Sequence, residues 1–544
     1  MSINKAEHTL KDILISYAGS DPARFHMPAH KGFSDDPVLK AVCPYDVTEI
    51  SATDDLYRSN GVIDHLQKRF AAFYSAKASF LLVNGSTAGN IAMLLSIGPG
   101  KRILLGRDCH CSALSGIALA DHEVISIFPH SQKEIITPQD IEKAFAAAAE
   151  NAEKPFDAVF LTSPNYYGKV LDIEHIAEIV HSHGSLLFID AAHGAHFPFS
   201  EFLPKNPSCA DAWVVSCHKT LGALTQSAVL NLGFSNPASP GKLLNTIAMI
   251  QTSSPSFLLM RSLENVLDKP WDWDAHCRRI IALRKKLSGI NGLCLEGTND
   301  GSAILSGKFV GSDITRLVIS FKGINGFVLN EYLEQKGIYA EMNDSERIVF
   351  ITSPADPEEW YIRLYDAFNE LSYEHTVKKS FDAHTGTDDA DNTDEADNTD
   401  EADDADDADD ADDADDADHP DDTVDSENIR FSSENIRYSA VSGTASEPGS
   451  RHLQKLSVRL AMLGNSCSIP LDEAEGKICA CTVGIYPPGI AILFPGEEIG
   501  KAEIQLLQSY RDMGAKFFGM ENDMIRVLSS EDNGETECRP LRKN

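Results

Sequence analysis

The sequence predicts an α/β protein organised around a doubly wound, mainly parallel sheet. Between residues 76 and 232, short apolar runs alternate with stretches of helical periodicity, the pattern of strand–helix–strand repeats. Polar clusters follow several of these runs. Because the carboxyl ends of parallel strands meet at one edge of a sheet, we expect these clusters to form one ligand site there.

The elements can be assigned in chain order from their periodicity. A helical pattern opens at Leu10 in an amino-terminal arm, residues 1–75, which continues as loops rich in Gly, Pro and Asp. In the large domain, residues 76–254, we predict strands at 80–83, 102–106, 158–162, 185–190 and 212–215, and helices at 139–148 and 173–183. In a smaller α+β domain, residues 255–375, we predict helices at 278–287 and 326–336 and strands at 316–320 and 347–351.

The net charge of −35 is concentrated in one segment. From Asp388 to Asp425 the chain has 22 acidic residues and no Lys or Arg, so the rest of the chain has a net charge of −13. This segment has too few apolar groups to offset chain entropy, and its like charges repel. We therefore expect residues 376–450 to be a disordered acidic linker, followed by a small α+β carboxyl-terminal domain at 451–544.

Composition also excludes several kinds of partner and site. No basic stripe suggests nucleic acid, and no apolar run approaches the roughly 20 residues of a membrane helix. The first residues lack the apolar core of a signal peptide, and the 11 cysteines have no framework spacing, so we expect a reducing, cytoplasmic setting. The runs at 109–111 and 479–481 lack the paired spacing of a zinc site, so we predict no metal.

Three polar features at predicted strand ends together define a candidate ligand site. Lys219 follows the apolar run 212–215, where desolvation lowers an amine's pKa and favours an imine with an aldehyde. Asp190 ends a second run, and the turn from 84 to 90 follows a third. A lysine after a strand is, by itself, more often a solvated loop residue. The combination matches what pyridoxal phosphate requires, since the turn suits a phosphate, the carboxylate keeps a pyridine nitrogen protonated and the lysine can hold the aldehyde.

The chain contains a longer series of motifs: His26–Gly32, Asp46–Glu49, Asp54–Leu56, Asn84–Thr87, Ser163–Gly168, Asp190–His196, Ser216–Leu221, Asp313–Leu317, Ala340–Asp344 and Tyr486–Gly489. Together these motifs resemble the Orn/Lys/Arg decarboxylase family, the fold-type-I pyridoxal-phosphate decarboxylases of bacterial type. The resemblance covers residues 8–371 and about 451–500, and it is to the short form, without a further amino-terminal domain ahead of the arm.

This resemblance implies a role for each matched residue. Lys219 would hold the aldehyde and Asp190 the ring nitrogen, while His110 and Ala192 would contact the two ring faces. His193 would lie beside the phenolic edge, where it could orient or protonate. The predicted cofactor-binding residues are Ser86, Thr87, Ala88, His110, Asp190, Ala192, His193, Ser216, His218 and Lys219, and the predicted catalytic residues are Lys219, His110, His193 and Asp190. Glu341 and Asp344 are the candidates for binding a cationic substrate side chain.

The implied activity is decarboxylation of a basic L-amino acid, with arginine first and lysine or ornithine next. The implied assembly is a homodimer or larger, in which the arm of one subunit reaches its neighbour's site. Two positions differ from the family pattern: Ala191 replaces a common acidic residue and Cys111 a common lysine. Another fold-type-I reaction, such as transamination or aldol cleavage, is one alternative, and a catalytically silent regulator is another. The decarboxylase-like carboxyl-terminal domain argues against the first, and the intact Lys219, Asp190 and His110 argue against the second.

Overall fold

A computed structural model describes residues 8–129, 135–297, 311–385, 454–485 and 490–529. The chain divides into two compact units, residues 1–372 with 440–544, and Tyr373–Ser439. Of the second unit, the structure describes residues 373–385, which are helical. Residues 386–450 of the predicted acidic linker and the motif Tyr486–Gly489 lie outside the described residues.

The arm and the large domain supply a sheet with helices on both faces. Their helices are α1 (Leu10–Gly19), α2 (Pro37–Val42), α3 (Val62–Phe73), α4 (Gly85–Ser96), α5 (Cys111–Ala120), α6 (Pro138–Glu150), α7 (Ile173–Ser182), α8 (Cys217–Thr220) and α9 (Pro240–Ile250). Their strands are β1 (Ala78–Leu82), β2 (Arg102–Gly106), β3 (Glu123–Ile127), β4 (Ala158–Thr162), β5 (Leu186–Asp190), β6 (Ala212–Val215) and β7 (Ala228–Leu232).

The seven strands form one sheet in the order β1-β7-β6-β5-β4-β2-β3. The pairs from β6 through β5, β4 and β2 to β3 are all parallel, and β7 runs antiparallel to both β6 and β1. This confirms the predicted fold class. Alternate residues of the strands enter separate apolar cores: Leu104 and Val159 belong to one, Ile103 and Phe160 to the other. The sheet is therefore covered on both faces, as expected for parallel strands joined by helices.

The part of the chain that follows the large domain contains a second sheet, whose strands are antiparallel. Its elements are α10 (Phe257–Asp268), α11 (Trp273–Leu287), β8 (Leu293–Leu295), β9 (Arg316–Phe321), α12 (Gly326–Gln335), β10 (Met342–Asn343), β11 (Ile348–Ile351) and α13 (Glu358–Thr385). The strand order is β10-β11-β9-β8. Apolar residues of this sheet, such as Leu317 and Phe350, share a core with α11 and with Phe368 of α13.

The carboxyl-terminal segment contributes two three-stranded sheets, β12-β17-β16 and β14-β13-β15. Its elements are α14 (Val458–Leu463), β12 (Ser466–Pro470), β13 (Val483–Ile485), β14 (Ile490–Leu493), α15 (Lys501–Asp512), β15 (Phe517–Phe518), β16 (Met520–Glu521) and β17 (Met524–Leu528). Val458, Ala491 and Phe494 extend into the core that covers one face of the seven-stranded sheet. Within the described part of the chain, no helix combines the length and apolarity needed to cross a membrane.

Candidate active site

A cavity of about 330 Å³ opens at the carboxyl ends of the parallel strands. The residues that line it are Asn84, Gly85, Ser86, Thr87, His110, Thr162, Tyr166, Asp190, Ala192, His193, His218, Lys219, Thr225 and Gln226. The cavity wall therefore includes all but two of the predicted cofactor-binding residues, since Ala88 and Ser216 are buried without lining it. Among the described residues, no group of three or more His, Cys, Asp or Glu side chains is arranged to hold a metal ion.

Lys219 supplies the amine of the cavity, and its side chain contacts His193, which in turn contacts Arg316. Lys219 Nζ lies 3.1 Å from His193 Nε2, and His193 Nδ1 lies 3.3 Å from Arg316 Nη2. Because a guanidinium can only donate, Nδ1 accepts, and the neutral His193 ring carries its proton on Nε2. An N–H at Nε2 faces Lys219 favourably only when the lysine amine is unprotonated.

The electrostatics of the two side chains agree with this arrangement. Burial lowers the pKa of Lys219 from its usual value, against an opposing effect of the Asp190 carboxylate. Burial, together with the neighbouring cations Lys219 and Arg316, holds the pKa of His193 well below its ordinary value. Both groups are therefore biased toward their neutral forms.

Asp190 is the buried last residue of β5, and both of its carboxylate oxygens are held. The Asn90 side-chain amide donates to Oδ2 at 2.7 Å, and the backbone N–H of Ala192 donates to Oδ1 at 3.0 Å. The same amide donates to Ser112 Oγ at 2.9 Å, which connects β5 to α4 and α5. A carboxylate fixed in this way can stabilise a cationic ring nitrogen without reorganising.

His110 forms the amino-terminal cap of α5. Its Nδ1 accepts a hydrogen bond from the backbone N–H of Ser112 at 3.1 Å and lies 2.8 Å from Ser112 Oγ. Since Nδ1 accepts, the neutral ring carries its proton on Nε2. Burial lowers the pKa of His110, so the neutral ring is the favoured form.

The first turn of α4 forms a wall suited to an anion. Gly85 has a φ of +69°, in the left-handed region that favours glycine, and Ser86 and Thr87 follow it on the cavity. The Asn84 side chain makes no capping hydrogen bond to α4, and the Gly85 N–H donates to the Gln226 carbonyl at 2.8 Å. Among the described residues, the next N–H groups of this first turn have no side-chain acceptor, so they are available to an anion. The Ser216 hydroxyl is buried and has no hydrogen-bond partner in the described part of the chain, as expected of a group that binds a ligand oxygen.

The two candidates for binding a substrate cation differ in their surroundings. Glu341 is exposed, and its charge acts on both Lys219 and Arg316, where it favours the protonated forms. Asp344 is buried, and its carboxylate accepts hydrogen bonds from the Tyr167 hydroxyl at 2.8 Å and from Arg347 Nε at 3.0 Å. The contacts of Asp344 are thus within the chain itself.

Sequence reasoning assigned no role to several residues at the site. Arg316 lies in a motif that we singled out, yet nothing local indicates that its guanidinium contacts His193. Asn90 follows the glycine turn by one helical turn and holds Asp190, and Tyr166 packs its ring edge against His193 at a centroid distance of 5.1 Å. A helical-wheel reading of α4 could have found Asn90, because it lies on the same face as Ser86.

Comparison with known proteins identifies the family. Residues 9–270 match the model of the Orn/Lys/Arg decarboxylase major domain, and residues 451–540 match that of the Orn/Lys/Arg decarboxylase C-terminal domain. The chain is 27% identical to an arginine decarboxylase of Bacillus subtilis over 541 residues, which cover 95% of this chain and 97% of the relative. It is 30% identical to the uncharacterized protein YaaO of the same species, over 62% of this chain and 72% of that protein.

A solved structure shows the same fold. The constitutive lysine decarboxylase of E. coli superposes with a TM-score of 0.70 at 16% identity, covering 96% of this chain and 82% of the other. The fold and the cavity at the strand ends define a fold-type-I α/β enzyme. The chain belongs to the Orn/Lys/Arg decarboxylase family and is a decarboxylase, which confirms the resemblance seen in its motifs.

Proposed function

We propose that this decarboxylase uses pyridoxal phosphate to release the α-carboxylate of a basic L-amino acid as carbon dioxide. Arginine is the first candidate substrate, and lysine or ornithine comes next. The observation that carries the proposal is the cavity shared by Lys219 and Asp190 at the carboxyl edge of the sheet. Similarity to arginine decarboxylases over nearly the whole chain supports the choice of arginine.

The residues of the cavity suit this cofactor. Lys219 would hold its aldehyde and Asp190 its ring nitrogen, while His110 and Ala192 would contact the two ring faces. Among the described residues, no side chain caps the first turn of α4 and no group hydrogen-bonds the Ser216 hydroxyl, so both suit a phosphate. When bound, pyridoxal phosphate supplies an electron sink for the carbon that loses its carboxylate.

The protein's own contribution is to orient and desolvate the substrate. Arg316 is buried, and its Nε and Nη1 have no hydrogen-bond partner among the described residues. This guanidinium can bind the α-carboxylate and set the direction of the bond that breaks. Lys219 Nζ and His193 Nε2, 3.1 Å apart, can then deliver the proton that replaces the carboxylate.

For the distal cation of the substrate we choose Glu341 over Asp344. Glu341 is exposed and acts electrostatically on Lys219, whereas the Asp344 carboxylate is engaged by Tyr167 and Arg347. A carboxylate at this position would favour a substrate with a positively charged side chain. It does not distinguish a guanidinium from an ammonium group.

Carbon dioxide release with arginine, lysine and ornithine in turn tests the reaction and the substrate together. The purified protein should acquire visible absorbance when it is given pyridoxal phosphate, and Lys219→Ala should abolish that absorbance.

Glu341→Gln should raise KM for the preferred amino acid, whereas Glu331→Gln, at an exposed position on α12, should leave it unchanged.

Amine formation from none of the three substrates would refute the proposal. Keto-acid formation without carbon dioxide would indicate transamination, and an absence of any product would indicate a silent relative.

We also propose that the protein forms a homodimer or a larger homo-oligomer. The arm exposes large apolar side chains, including Phe25 (96% exposed), Phe33 (77%) and Val38 (72%). Large apolar side chains exposed at several positions of one segment suit an interaction surface. Sedimentation velocity should give a species larger than one chain, and combining Phe25→Ser with Phe33→Ser should shift it toward the monomer. A parent protein that sediments as a monomer would contradict this assignment.

A further inference from the structure

A buried ion pair connects the strand that leads into the cavity with the carboxyl-terminal segment. Arg107 directly follows β2, and Glu497 lies 390 positions later in the chain. Nη1 and Nη2 of Arg107 donate to the two carboxylate oxygens of Glu497 at 2.5 and 2.8 Å. The two side chains are only 8% and 2% exposed, so this bidentate pair is shielded from water.

The groups around the pair fix its geometry further. Arg107 Nη2 also donates to the Ile492 carbonyl at 2.7 Å, and the guanidinium lies 3.6 Å from the centroid of the Phe494 ring. The Phe494 backbone N–H donates to Glu497 Oε2 at 2.8 Å. Both charges therefore have several partners, as a buried ion pair requires.

The pair lies next to a proposed cofactor contact. Only Asp108 and the buried Cys109 separate Arg107 from His110, which caps α5 and lines the cavity. The carboxyl-terminal segment also contacts the far end of α5, where Arg459 donates to the Leu119 carbonyl at 3.2 Å. It thus contacts the loop before α5 and the last turn of α5, on both sides of His110.

We propose that Arg107 and Glu497 are positioning residues that hold His110 against the cavity, so that the carboxyl-terminal segment completes the active site. The effect on the cofactor rests on the proposed function, whereas the effect on the loop at 107–110 does not. Neither residue contacts the cavity itself, so their influence on the reaction is exerted through His110.

The test compares Glu497→Gln with Glu153→Gln. Glu153 pairs with Arg102 at the opposite end of β2 and its side chain is 31% exposed, so it is an ion-pair control on the same strand. In Glu497→Gln we expect faster hydrogen–deuterium exchange of the cofactor-free protein at residues 107–112. We also expect a weaker visible circular dichroism band of the bound cofactor, and a kcat lower by up to about a hundredfold with little change in KM, as for a misplaced catalytic group. Glu153→Gln should change none of these.

Arg107→Lys provides a second variant, because it keeps the positive charge and loses the bidentate geometry. Arg107→Lys should change the exchange at residues 107–112, the circular dichroism band and kcat in the same directions as Glu497→Gln, but by less. It also allows the test to be made if Glu497→Gln fails to fold. Exchange that is unchanged at 107–112, or that rises equally in all peptides, would overturn the proposal. If the parent protein binds no cofactor, the proposed function fails, and the exchange comparison still decides whether the pair orders the loop.

Discussion

At the scale of single residues, Arg316 is a buried guanidinium on which the Asp313 and Glu341 carboxylates act electrostatically. Its Nε and Nη1 have no hydrogen-bond partner among the described residues, which is costly for a buried charge unless a ligand supplies one. We predict that Arg316→Met lowers kcat/KM by about ten- to a hundredfold, the worth of hydrogen bonds to a charged group. Arg316→Lys should recover part of the lost kcat/KM, because lysine keeps the positive charge. The recovery should be incomplete, because an ammonium cannot bind a carboxylate and His193 in the fork geometry of a guanidinium.

Steady-state kinetics on the three proteins test this prediction. Arg363→Met, at an exposed position on α13, is the control and should behave like the parent protein. Equal kcat/KM values for Arg316→Met and the parent would contradict a role in binding the substrate carboxylate.

A second prediction concerns the pH dependence of stability. Burial lowers the pKa of Lys219 in the folded protein below that of the unfolded chain. The unfolded state then binds more protons between the two pKa values, so Lys219 reduces stability at neutral pH and this cost disappears as the pH rises past about 10.4. Cofactor-free Lys219→Met should therefore be more stable than the cofactor-free parent at pH 7, and the difference should shrink toward pH 10.

Urea unfolding at a series of pH values measures this difference. Lys285→Met, at an exposed position on α11, removes a lysine without removing a buried charge and should show no such trend. A stability difference for Lys219→Met that is constant or grows with pH would show that the buried amine is not the cause.

The sequence identifies much of the residue chemistry, because a polar residue directly after an apolar run is a local pattern. Lys219 and Asp190 follow such runs, and the cavity brings them together. The roles of Arg316 and Asp344 depend instead on partners that are distant in sequence. His193, the partner of Arg316, is 123 positions away, and Tyr167, one partner of Asp344, is 177 positions away. No local pattern reveals such contacts.

At the scale of elements, most predicted boundaries agree closely with the structure, but the helix predicted at 278–287 begins five residues earlier, at Trp273. The strands at 102–106, 158–162 and 212–215 were predicted at their observed limits, and the helix predicted at 173–183 ends one residue earlier. The strands β3 and β7 are absent from the prediction. The antiparallel direction of β7 also has no local signal, because an apolar run of five residues reads the same in either direction. The structure sets that direction through its pairing with both β1 and β6.

The contact between α4 and β6 gives an element-scale prediction. A Cβ atom at Gly89 would lie 2.5 Å from Val214 Cγ2 and 3.0 Å from Leu82 Cδ1, so α4 approaches the sheet as closely as glycine allows. We predict that Gly89→Ala lowers the free energy of unfolding by about 1–3 kcal/mol, the usual cost of overpacking. It should also weaken cofactor binding, because α4 carries Ser86 and Asn90.

Denaturant unfolding and a spectroscopic cofactor titration measure the two effects. Gly241→Ala, in α9, is a matched control, since no atom lies within 4 Å of the added methyl group. That substitution should be neutral or stabilising by up to about 1 kcal/mol. Normal stability of Gly89→Ala would show that the sheet can move to accept the methyl group.

At the scale of the whole molecule, the acidic tract separates the two segments that match the family. From its composition we predict that deletion of residues 388–418 leaves kcat and KM essentially unchanged. A Gly/Ser replacement of equal length separates the effect of charge from that of linker length. A large loss of turnover in either variant would make the tract part of the catalytic machinery.

The organisation of the whole chain could be predicted only in part. The charge pattern and the motifs predict a large domain, a smaller α+β domain, an acidic segment and a carboxyl-terminal domain, and this division stays a prediction. They contain no sign that Glu497 pairs with Arg107, because each residue looks locally like an ordinary charged surface residue. Burial, which only the folded chain reveals, makes the pair significant.

The separation of that pair along the chain has a consequence for biosynthesis. At about 5–20 residues per second, a ribosome needs about 20–80 seconds to polymerise the 390 positions between Arg107 and Glu497. From residue 219 onward the nascent polypeptide contains His110, Asp190 and Lys219, while the guanidinium of Arg107 still lacks its carboxylate partner. Translation order would therefore delay the maturation of the catalytic pocket until the last domain has emerged and docked.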